Sequence, residues 1–303
     1  MQSTNHILMI RPVAFKFNEQ TAGNNKFQQA NAEGDVHEQA LKEFDGFVEL
    51  LRTNGVDVTV IADTLQPETP DSIFPNNWVS FHDDGEVILY PMFSENRRAE
   101  RRQDILEKLG ENFIVDEITD LSTHEARDIF LEGTGSLVLD REAKIAYACL
   151  SFRTNEIALE KFCKATGYRS VVFNAVDSTG FPIYHTNVMM CVGDRFAVAC
   201  LESIPDESER NQLLESFRQT GKTVVPITFD QMNHFAGNML LVNNEKQENL
   251  LVMSEQAYLS LHEDQVNTLS TFAKLIHAPL YTIEKNGGGS ARCMLAEVHL
   301  PVK

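Results

Sequence analysis

Basic residues are scarce in this chain of 303 residues, in which 26 Lys and Arg stand against 44 Asp and Glu and leave a formal net charge of −18. The sequence pI is near 4.9. Nucleic acids and anionic membranes are polyanions, so a chain of this charge without a basic stripe is repelled by both. We therefore expect neither nucleic acid nor a membrane surface as a partner.

Long apolar runs are also missing. No stretch approaches the roughly 18 residues of a membrane-spanning helix. The first ten residues lack the basic start and the apolar middle of a secretory signal peptide. The sequence thus predicts a globular protein of the cytoplasm.

Cysteine is rare, and its spacing suggests no pairs. The five cysteines form an odd set without a Cys-x-x-Cys motif, which excludes a disulfide framework and a zinc site of the usual kind. Cys149, Cys191 and Cys200 lie in apolar strand-like runs and Cys163 lies in a helical pattern, so burial accounts for these four. Only Cys293 has an unusual setting.

Cofactor motifs are missing as well. The Gly-Thr-Gly run at residues 133–135 lacks the spacing of a dinucleotide fingerprint or a P-loop. His82 with Asp83 and Asp84 falls at a predicted hairpin turn, where exposure explains the carboxylates. We expect neither a metal nor an organic cofactor.

The sequence does contain a repeated order of elements, namely strand, strand, helix, strand. With 43% hydrophobic and 9% aromatic residues, the chain can bury a large core. Hydrophobic periodicity predicts the order four times. The four predicted units span 77–81, 87–90, 98–109 and 113–115; 136–139, 145–150, 155–166 and 170–174; 187–192, 195–201, 207–219 and 223–227; and 239–242, 250–253, 263–272 and 279–283.

A fifth unit is divided between the two ends of the chain. The apolar stretch 294–299 is predicted to pair with a strand at 7–10, which is followed by a helix at 36–51 and a strand at 56–61. Pairing of the last strand with the first would close a ring of five units.

Polar residues precede the first strand of each unit at a nearly constant spacing. Asn77, Glu132, His185, Asn238 and Cys293 are separated by 55, 53, 53 and 55 positions. A constant period places the same loop of each unit on the same face. We expect these side chains to meet in one cavity, where they would supply a nucleophile, a base, a carboxylate and two amides.

A glycine run leads into the last of these residues. Three consecutive glycines at 287–289 suit a main chain that must take φ > 0 or pass close to a ligand. A cysteine held just beyond them, Cys293, is a candidate nucleophile. The alternative is a flexible loop followed by an ordinary buried cysteine, since free cysteine is among the most buried residue types.

Five short motifs occur along the chain: DSIFPNN at 71–77, LEG at 131–133, SFRTN at 151–155, HTN at 185–187 and the glycine loop at 287–293. Together, and in this order, they resemble the pentein, or guanidino-group-modifying, superfamily, which contains arginine deiminases, dimethylarginine dimethylaminohydrolases and glycine amidinotransferases. The resemblance covers nearly the whole chain. It implies an α/β fold, a five-bladed β/α propeller of ββαβ units with pseudo-fivefold symmetry, in a single catalytic domain of residues 1–303.

The resemblance also implies catalytic roles. In that superfamily a cysteine, here Cys293, attacks the central carbon of a guanidine or ureide, and water or an amine resolves the covalent intermediate. His185 is the implied general acid and base, because imidazole titrates near working pH and the departing amine needs a proton. Glu132 would hold His185 or bind a substrate nitrogen. Taken singly, a histidine beside a strand is more often structural, and a glutamate before glycine is more often a turn residue.

Three further positions match substrate-binding residues of the superfamily. Arg153 matches a carboxylate-binding position and Arg97 matches a second, and arginine grips a carboxylate with two donors. Asp71 would bind a substrate N–H. The alternatives are a surface residue at a helix N-terminus for Arg153 and a turn-forming aspartate after Pro70 for Asp71.

Two departures from the superfamily concern the substrate. Where arginine deiminases carry aspartates that pair with the guanidinium, this chain has Asn77 and Asn187. A buried guanidinium without a carboxylate partner is costly, whereas an amide both donates to a ureido oxygen and accepts from its NH₂. We therefore expect a neutral ureide as substrate, most like the citrulline-utilisation hydrolase group, with citrulline converted to ornithine, ammonia and carbon dioxide.

Other functions stay open. An arginine deiminase or an amidinotransferase would act on arginine, and a transferase differs from a hydrolase in that an amine reaches the intermediate instead of water. A non-catalytic binding protein of propeller fold is a third possibility, against which the catalytic set argues. For either enzyme the partner is a small ureido or guanidino amino acid. Weaker candidates, for which turn or loop roles are the alternative, are Asn76, Asn238 and a lid containing Asn18, Gln20 and Asn25.

Overall fold

Five three-stranded β-sheets form the framework of the computed structural model, which describes residues 1–23, 25–29 and 35–303. The strands are β1 (His6–Arg11), β2 (Asp57–Ala62), β3 (Val79–Phe81), β4 (Glu86–Leu89), β5 (Glu117–Asp120), β6 (Val138–Asp140), β7 (Ile145–Cys149), β8 (Arg169–Phe173), β9 (Met190–Val192), β10 (Phe196–Ala199), β11 (Thr223–Pro226), β12 (Leu240–Asn243), β13 (Asn249–Ser254), β14 (Lys274–Ala278) and β15 (Ala296–Glu297).

Helices connect these strands within the described ranges. The α-helices are α1 (Glu19–Ala22), α2 (Val36–Thr53), α3 (Glu95–Arg98), α4 (Gln103–Gly110), α5 (Gly133–Ser136), α6 (Glu156–Thr166), α7 (Thr186–Met189), α8 (Glu207–Gln219), α9 (Phe229–Asn233), α10 (Glu255–Ser260), α11 (Glu263–Ser270) and α12 (Tyr281–Gly287). Short 3₁₀ helices cover Pro75–Asn77, Ser122–Arg127, Leu201–Ser203 and Ala291–Met294. No helix of the described part is long and apolar enough to cross a bilayer.

Every sheet has the same topology. The middle strand pairs antiparallel with the strand before it and parallel with the strand that follows a helix, as in β3-β4-β5, β6-β7-β8, β9-β10-β11 and β12-β13-β14. A parallel pair needs a crossover, which α4, α6, α8 and α11 supply. The predicted order of strand, strand, helix, strand is confirmed.

The fifth sheet joins the two ends of the chain. β15 pairs antiparallel with β1, with Ile7 opposite Glu297 and Leu8 opposite Ala296, and β1 pairs in parallel with β2. The predicted pairing of the last strand with the first is thus confirmed. Its crossover helix is α2, where the Asp35 side chain caps the N-terminus by accepting from the backbone N–H of Glu38.

The first strand of each unit lies toward the neighbouring units. β15 contacts β3, and β9 contacts both β6 and β12. The crossover helices bury their apolar stripes against the sheets behind these strands: in α2, Phe44, Phe47 and Leu51 belong to an apolar cluster shared with β12, β13 and β14. This arrangement places the loops that precede the first strands next to one another.

Two predicted strands are wrong in position. The strand expected at 113–115 lies at β5, because β4 pairs with Glu117–Asp120 while Phe113 bridges to Val302 near the chain end. The segment expected as a strand at 279–283 begins helix α12, and the strand lies before it at β14. The Glu43 carboxylate on α2 caps this helix by accepting from the backbone N–H groups of Thr282 and Ile283 at 3.0 Å.

Other predicted elements differ in detail. The helix expected at 98–109 is divided into α3 and α4. His82, expected at an exposed turn, is buried, and its Nε2 lies 2.9 Å from Ser80 Oγ. The predicted first strands at 77–81 and 187–192 start later than expected, because short helical turns occupy their first residues.

The central position of β1 gives a stability prediction. Leu8 lies on β1 and is fully buried, whereas Leu65 is 67% exposed. We expect Leu8→Ala to lower the free energy of unfolding by about 2–5 kcal/mol, the usual cost of a cavity left by a buried leucine. Leu65→Ala should stay within about 0.5 kcal/mol of the parent. Urea unfolding measures both, and equal effects would contradict the placement of β1 in the core.

Candidate active site

Short helical turns precede four of the five first strands and carry the candidate residues. Asn77 ends the 3₁₀ helix before β3, Glu132 and His185 are the N-cap residues of α5 and α7, and Cys293 lies in the 3₁₀ helix before β15. Asn238 follows a turn before β12. Equivalent positions in the five units thus bring these side chains to one place.

His185 and Glu132 form a buried pair. His185 Nε2 lies 2.7 Å from Glu132 Oε2, and both side chains are buried. Although burial opposes ionisation, the Arg153 guanidinium and His185 hold the pKa of Glu132 well below its usual range. An ionised carboxylate only accepts hydrogen bonds, so His185 Nε2 carries the proton and Nδ1 keeps a lone pair.

The charge state of His185 follows from its surroundings. Burial lowers the pKa of His185 to about 4, against the opposing effect of the Glu132 carboxylate. The imidazole is therefore neutral at pH 7 and can accept a proton at Nδ1. Glu132 also accepts from the backbone N–H of Phe93 through its second oxygen, at 3.0 Å, which fixes the carboxylate.

Two amides point at the sulfur of Cys293. Asn187 Nδ2 lies 3.5 Å and Asn238 Nδ2 lies 3.3 Å from Cys293 Sγ. Donors aimed at sulfur stabilise a thiolate relative to a thiol. The Cys149, Cys191 and Cys200 thiols do not contact this sulfur, and burial raises the pKa of each to about 12.

Asn238 makes more hydrogen bonds within the site than its position beside Gly237 indicates. Its Nδ2 also donates to the backbone oxygen of Asn187 at 2.9 Å, and its Oδ1 accepts from the backbone N–H of Arg292 at 3.1 Å. The amide thus links the turns that carry Asn187 and Cys293. The signal for this role was the 53- to 55-residue spacing, while the neighbouring Gly237 favoured a simple turn.

Arg97 holds Asn77 in place. Arg97 is buried and binds Glu100 through Nε and Nη2, both at 2.9 Å, while Nη1 donates to Asn77 Oδ1 at 2.8 Å. Asn77 Nδ2 donates to Asn76 Oδ1 at 3.1 Å. Sequence reasoning did not identify Glu100. Only its position three residues after Arg97 could have indicated the ion pair between the two side chains.

Arg153 is buried beside the His185–Glu132 pair, so the alternative of a surface residue is wrong. Its Nη1 lies 3.3 Å from Glu132 Oε2, and its Nη2 donates to the backbone oxygen of Thr21 at 3.3 Å. The guanidinium lies 4.9 Å from the centre of the Tyr184 ring. Tyr184, which sequence reasoning missed, donates to the backbone oxygen of Gly288 at 2.8 Å.

The N-terminal segment contacts the site, and its role as a lid stays a prediction. Asn18 Nδ2 and Thr21 Oγ1 donate to Asp71 Oδ2 at 2.8 and 3.2 Å, and Asn25 Nδ2 donates to Gly288 O at 3.2 Å. Gln20 is exposed and accepts from the backbone of Asn96. Asp71 is buried, and among the described residues its Oδ1 has no hydrogen-bond partner.

The glycine loop has one residue with positive φ, as predicted, and passes close to the Phe74 ring. Gly288 has φ +64°, in the left-handed region. A Cβ on Gly287 or Gly289 would come within 2.8 or 2.9 Å of the Phe74 ring. Only glycine therefore lets the chain pass this ring on its way to Cys293.

A small cavity lies among these residues. Its volume is about 20 Å³, which is close to the room that one water molecule needs, so an amino acid does not fit while the N-terminal segment covers it. In the described part of the chain, no group of three or more His, Cys, Asp and Glu is arranged to hold a metal ion. The lining residues are Thr21, Asn25, Asp71, Phe74, Asn77, Arg97, Arg153, Tyr184, His185, Gly287, Gly288, Gly289 and Cys293.

A family model matches most of the chain. Residues 11–300 match the family model described as N,N dimethylarginine dimethylhydrolase, eukaryotic. The chain belongs to this family, and with it to the pentein superfamily, so the resemblance seen in the motifs is confirmed. No match was found among curated protein sequences.

Solved structures share the fold. The N-terminal domain of a variant of ArgZ, covalently bound to a reaction intermediate, aligns with a TM-score of 0.77 and 17% identity over 98% of both chains. Full-length ArgZ, an arginine dihydrolase from the ornithine–ammonia cycle in cyanobacteria, gives the same TM-score, and this chain spans 41% of its length. A dimethylarginine dimethylaminohydrolase adduct with 4-chloro-2-hydroxymethylpyridine aligns at 0.67, with 16% identity over 98% of this chain and all of the other.

Close packing at Gly135 gives a prediction for the site. A Cβ there would lie 2.4 Å from Asn77 Nδ2 and 2.7 Å from His185 Nδ1, whereas a Cβ on Gly110 meets nothing within 4 Å. We expect Gly135→Ala to destabilise the fold by about 1–3 kcal/mol through overpacking. Gly110→Ala, at the end of α4, should leave stability unchanged or raise it by up to about 1 kcal/mol. Urea unfolding of the two variants tests the contact, and a neutral Gly135→Ala would contradict it.

Proposed function

We propose that this chain is a cysteine-dependent hydrolase of the terminal ureido or guanidino group of an amino acid. The observation that carries the proposal is the Cys293 sulfur, which accepts from the side-chain amides of Asn187 and Asn238 and lines the same cavity as His185. Membership of the dimethylarginine dimethylaminohydrolase family supports a reaction at such a group.

We infer that the five sheets close into a five-bladed propeller and that residues 1–303 form one catalytic domain. Pairing of β15 with β1 and the contacts of β9 with its two neighbours support a closed ring. The site then lies where the first strands of all five units approach one another.

In the proposed reaction, Cys293 Sγ adds to the central carbon of the substrate while His185 Nδ1 takes the thiol proton. His185 then gives this proton to the departing amine, so the C–N bond breaks and an amino acid with a free side-chain amine leaves. The sulfur keeps the carbon as an S-carbamoyl group when the substrate is a ureide. Water, deprotonated by His185, attacks that carbon and releases carbamate, and Cys293 regains its proton.

We propose citrulline as the substrate. Asn77 and Asn187, where arginine deiminases have aspartates, leave the reacting group beside neutral amides. An amide both donates to and accepts from a neutral ureide. Carbamate from citrulline breaks down to ammonia and carbon dioxide, and ornithine is the amino acid released.

Arginine is a second candidate, and Asp71 is the observation that favours it. Its buried carboxylate lines the cavity with Oδ1 unbonded among the described residues, so a cationic group could bind there. The name of ArgZ as an arginine dihydrolase supports the same substrate. Arginine hydrolysed once would give citrulline, which the same residues could hydrolyse again.

We propose that Arg153 binds the substrate carboxylate and that Arg97 acts chiefly by holding Asn77. Arg97 already binds Glu100 with two nitrogens and Asn77 with a third. Arg153 lies against Thr21 of the covering segment, so it is reached by a substrate when that segment moves.

Separate incubation with citrulline and arginine tests the substrate. We expect citrulline to give ornithine, ammonia and carbon dioxide in equal amounts. Cys293→Ala should abolish turnover, and Cys163→Ala, on α6 away from the cavity, should keep it. Release of citrulline from arginine with citrulline itself untouched would overturn the ureide proposal, and an active Cys293→Ala variant would overturn the mechanism.

Asn77→Asp tests the role of the neutral amide. A carboxylate cannot donate to a ureido oxygen, and it places a charge beside the reacting group, so kcat/KM for citrulline should fall at least about tenfold. Asn112→Asp, an exposed position, makes the same chemical change outside the site and should have no effect. An unchanged kcat/KM for Asn77→Asp would refute the amide argument.

A further inference from the structure

Glu284 is a buried acid that no part of the proposed reaction uses. It lies on α12 and is 1% exposed. Among the described residues, no lysine or arginine forms an ion pair with it. Its carboxylate instead accepts from two neutral side chains, Ser290 Oγ at 2.5 Å and Gln256 Nε2.

The bond to Ser290 spans the glycine loop. At the start of the loop, the backbone N–H of Gly288 donates to Glu284 O at 2.9 Å. At its end, Ser290 is the N-cap of the 3₁₀ helix that contains Cys293, and Ser290 O accepts from the backbone N–H of Cys293 at 3.0 Å. Glu284 therefore accepts hydrogen bonds from both ends of the loop: its backbone oxygen accepts from Gly288 and its carboxylate accepts from Ser290.

A hydrogen bond across a loop restricts the chain most where the backbone has the most conformational freedom. Consecutive glycines have more backbone freedom than any other residues, and fixing the two ends of a short loop removes much of it. The loop is packed on Phe74 at Gly287 and Gly289, and its Gly288 carbonyl accepts from other segments. Among the residues that the structure describes, only the Ser290–Glu284 bond connects the loop end, through a side chain, back to the helix before it.

Burial and a neighbouring carboxylate, that of Glu43 on α2, both act on the charge state of Glu284. Burial raises the pKa of Glu284 to about 7, and Glu43 adds to this effect, whereas the neighbouring Ser254, Ser290 and Gln256 side chains lower it. Glu284 also lines a separate cavity of about 420 Å³. The other charged and titratable groups that face it are Glu255 on α10, Tyr281 and Lys285 on α12, and Lys26 and Asp177 across that cavity.

We propose that Glu284 is a positioning residue for Cys293: its carboxylate, through Ser290, fixes the end of the glycine loop and so sets the location of the nucleophile. The inference rests on the proposed function of Cys293. The ionised carboxylate is the better acceptor, because charge-assisted hydrogen bonds are roughly twice as strong as neutral ones. The loop is therefore held more firmly above the pKa of Glu284 than below it.

Three variants test the hydrogen bond between Glu284 and Ser290: Glu284→Gln, Ser290→Ala and the double substitution. At pH 8.5 we expect each single substitution to lower kcat about tenfold with KM changed less than about threefold, since misplacing a nucleophile affects the chemical step. Because Glu284→Gln weakens the same bond that Ser290→Ala removes, the double variant should lose little more than Ser290→Ala alone. The control is Glu255→Gln. The Glu255 carboxylate accepts from Tyr281, which lies on the same helix as Glu284, and among the described residues it makes no hydrogen bond to the glycine loop, so this variant should keep kcat within about twofold.

The pH dependence separates positioning from a structural role. Glutamine resembles the protonated carboxyl, so at pH 6 the Glu284→Gln variant and the parent should differ less than about twofold, and the difference should grow through pH 7 toward tenfold. The rate of Cys293 alkylation by iodoacetamide, followed by peptide mass spectrometry, should show the same trend without substrate.

Contrary results are distinct for the two proposals. A loss that is equal at pH 6 and pH 8.5, or losses that add in the double variant, would show that Glu284 only stabilises the fold and would overturn the inference. Unchanged kcat and alkylation in Glu284→Gln would overturn it too. These outcomes leave the proposed hydrolase intact. Full activity of Cys293→Ala would instead overturn the role of Cys293 as nucleophile. The alkylation rate of Cys293 in the parent and in Glu284→Gln would still test whether Glu284 fixes the loop.

Discussion

The antiparallel pairing of β15 with β1 brings the candidate nucleophile to its partners. Cys293 lies in the turn directly before β15, and the pairing is extended on the outer side by the backbone N–H of Val298, which donates to His6 O at 2.9 Å. The entropic cost of closing a loop grows only with the logarithm of its length, so joining the two ends of a long chain costs little more than joining nearer segments. The pairing thus fixes the chain on the side of Cys293 that is away from the glycine loop.

Buried charge is the second constraint on the site. Glu132, Arg153, Arg97 and Glu100 are all buried, and each is matched by an opposite charge within the cluster. Removing ions from water is costly unless they are paired, so the cluster tolerates few rearrangements. One consequence is chemical: the ionised Glu132 determines which nitrogen of His185 carries the proton, and burial keeps the ring neutral.

Sequence periodicity was enough for the order of elements and for the positions of Cys293 and His185, because each unit must bury the same alternating apolar faces. It failed where a distant contact decided the local structure. The strand expected at 279–283 is a helix because Glu43, some 240 residues away, caps it. Asn238 looked like a turn residue beside Gly237, since only the folded chain places its amide against sulfur.

The carbonyl of Gly288 accepts from two different parts of the molecule, the Tyr184 hydroxyl next to His185 and the Asn25 amide of the covering segment. In the proposed reaction the segment that carries Asn25 must move to admit an amino acid, because the cavity of about 20 Å³ has no room for one, and the loop then loses its bond to Asn25. Under that proposal Cys293 is held less firmly while the segment is displaced than after it returns. The Gly288 peptide oxygen would thereby link entry of the substrate to the positioning of the proposed nucleophile.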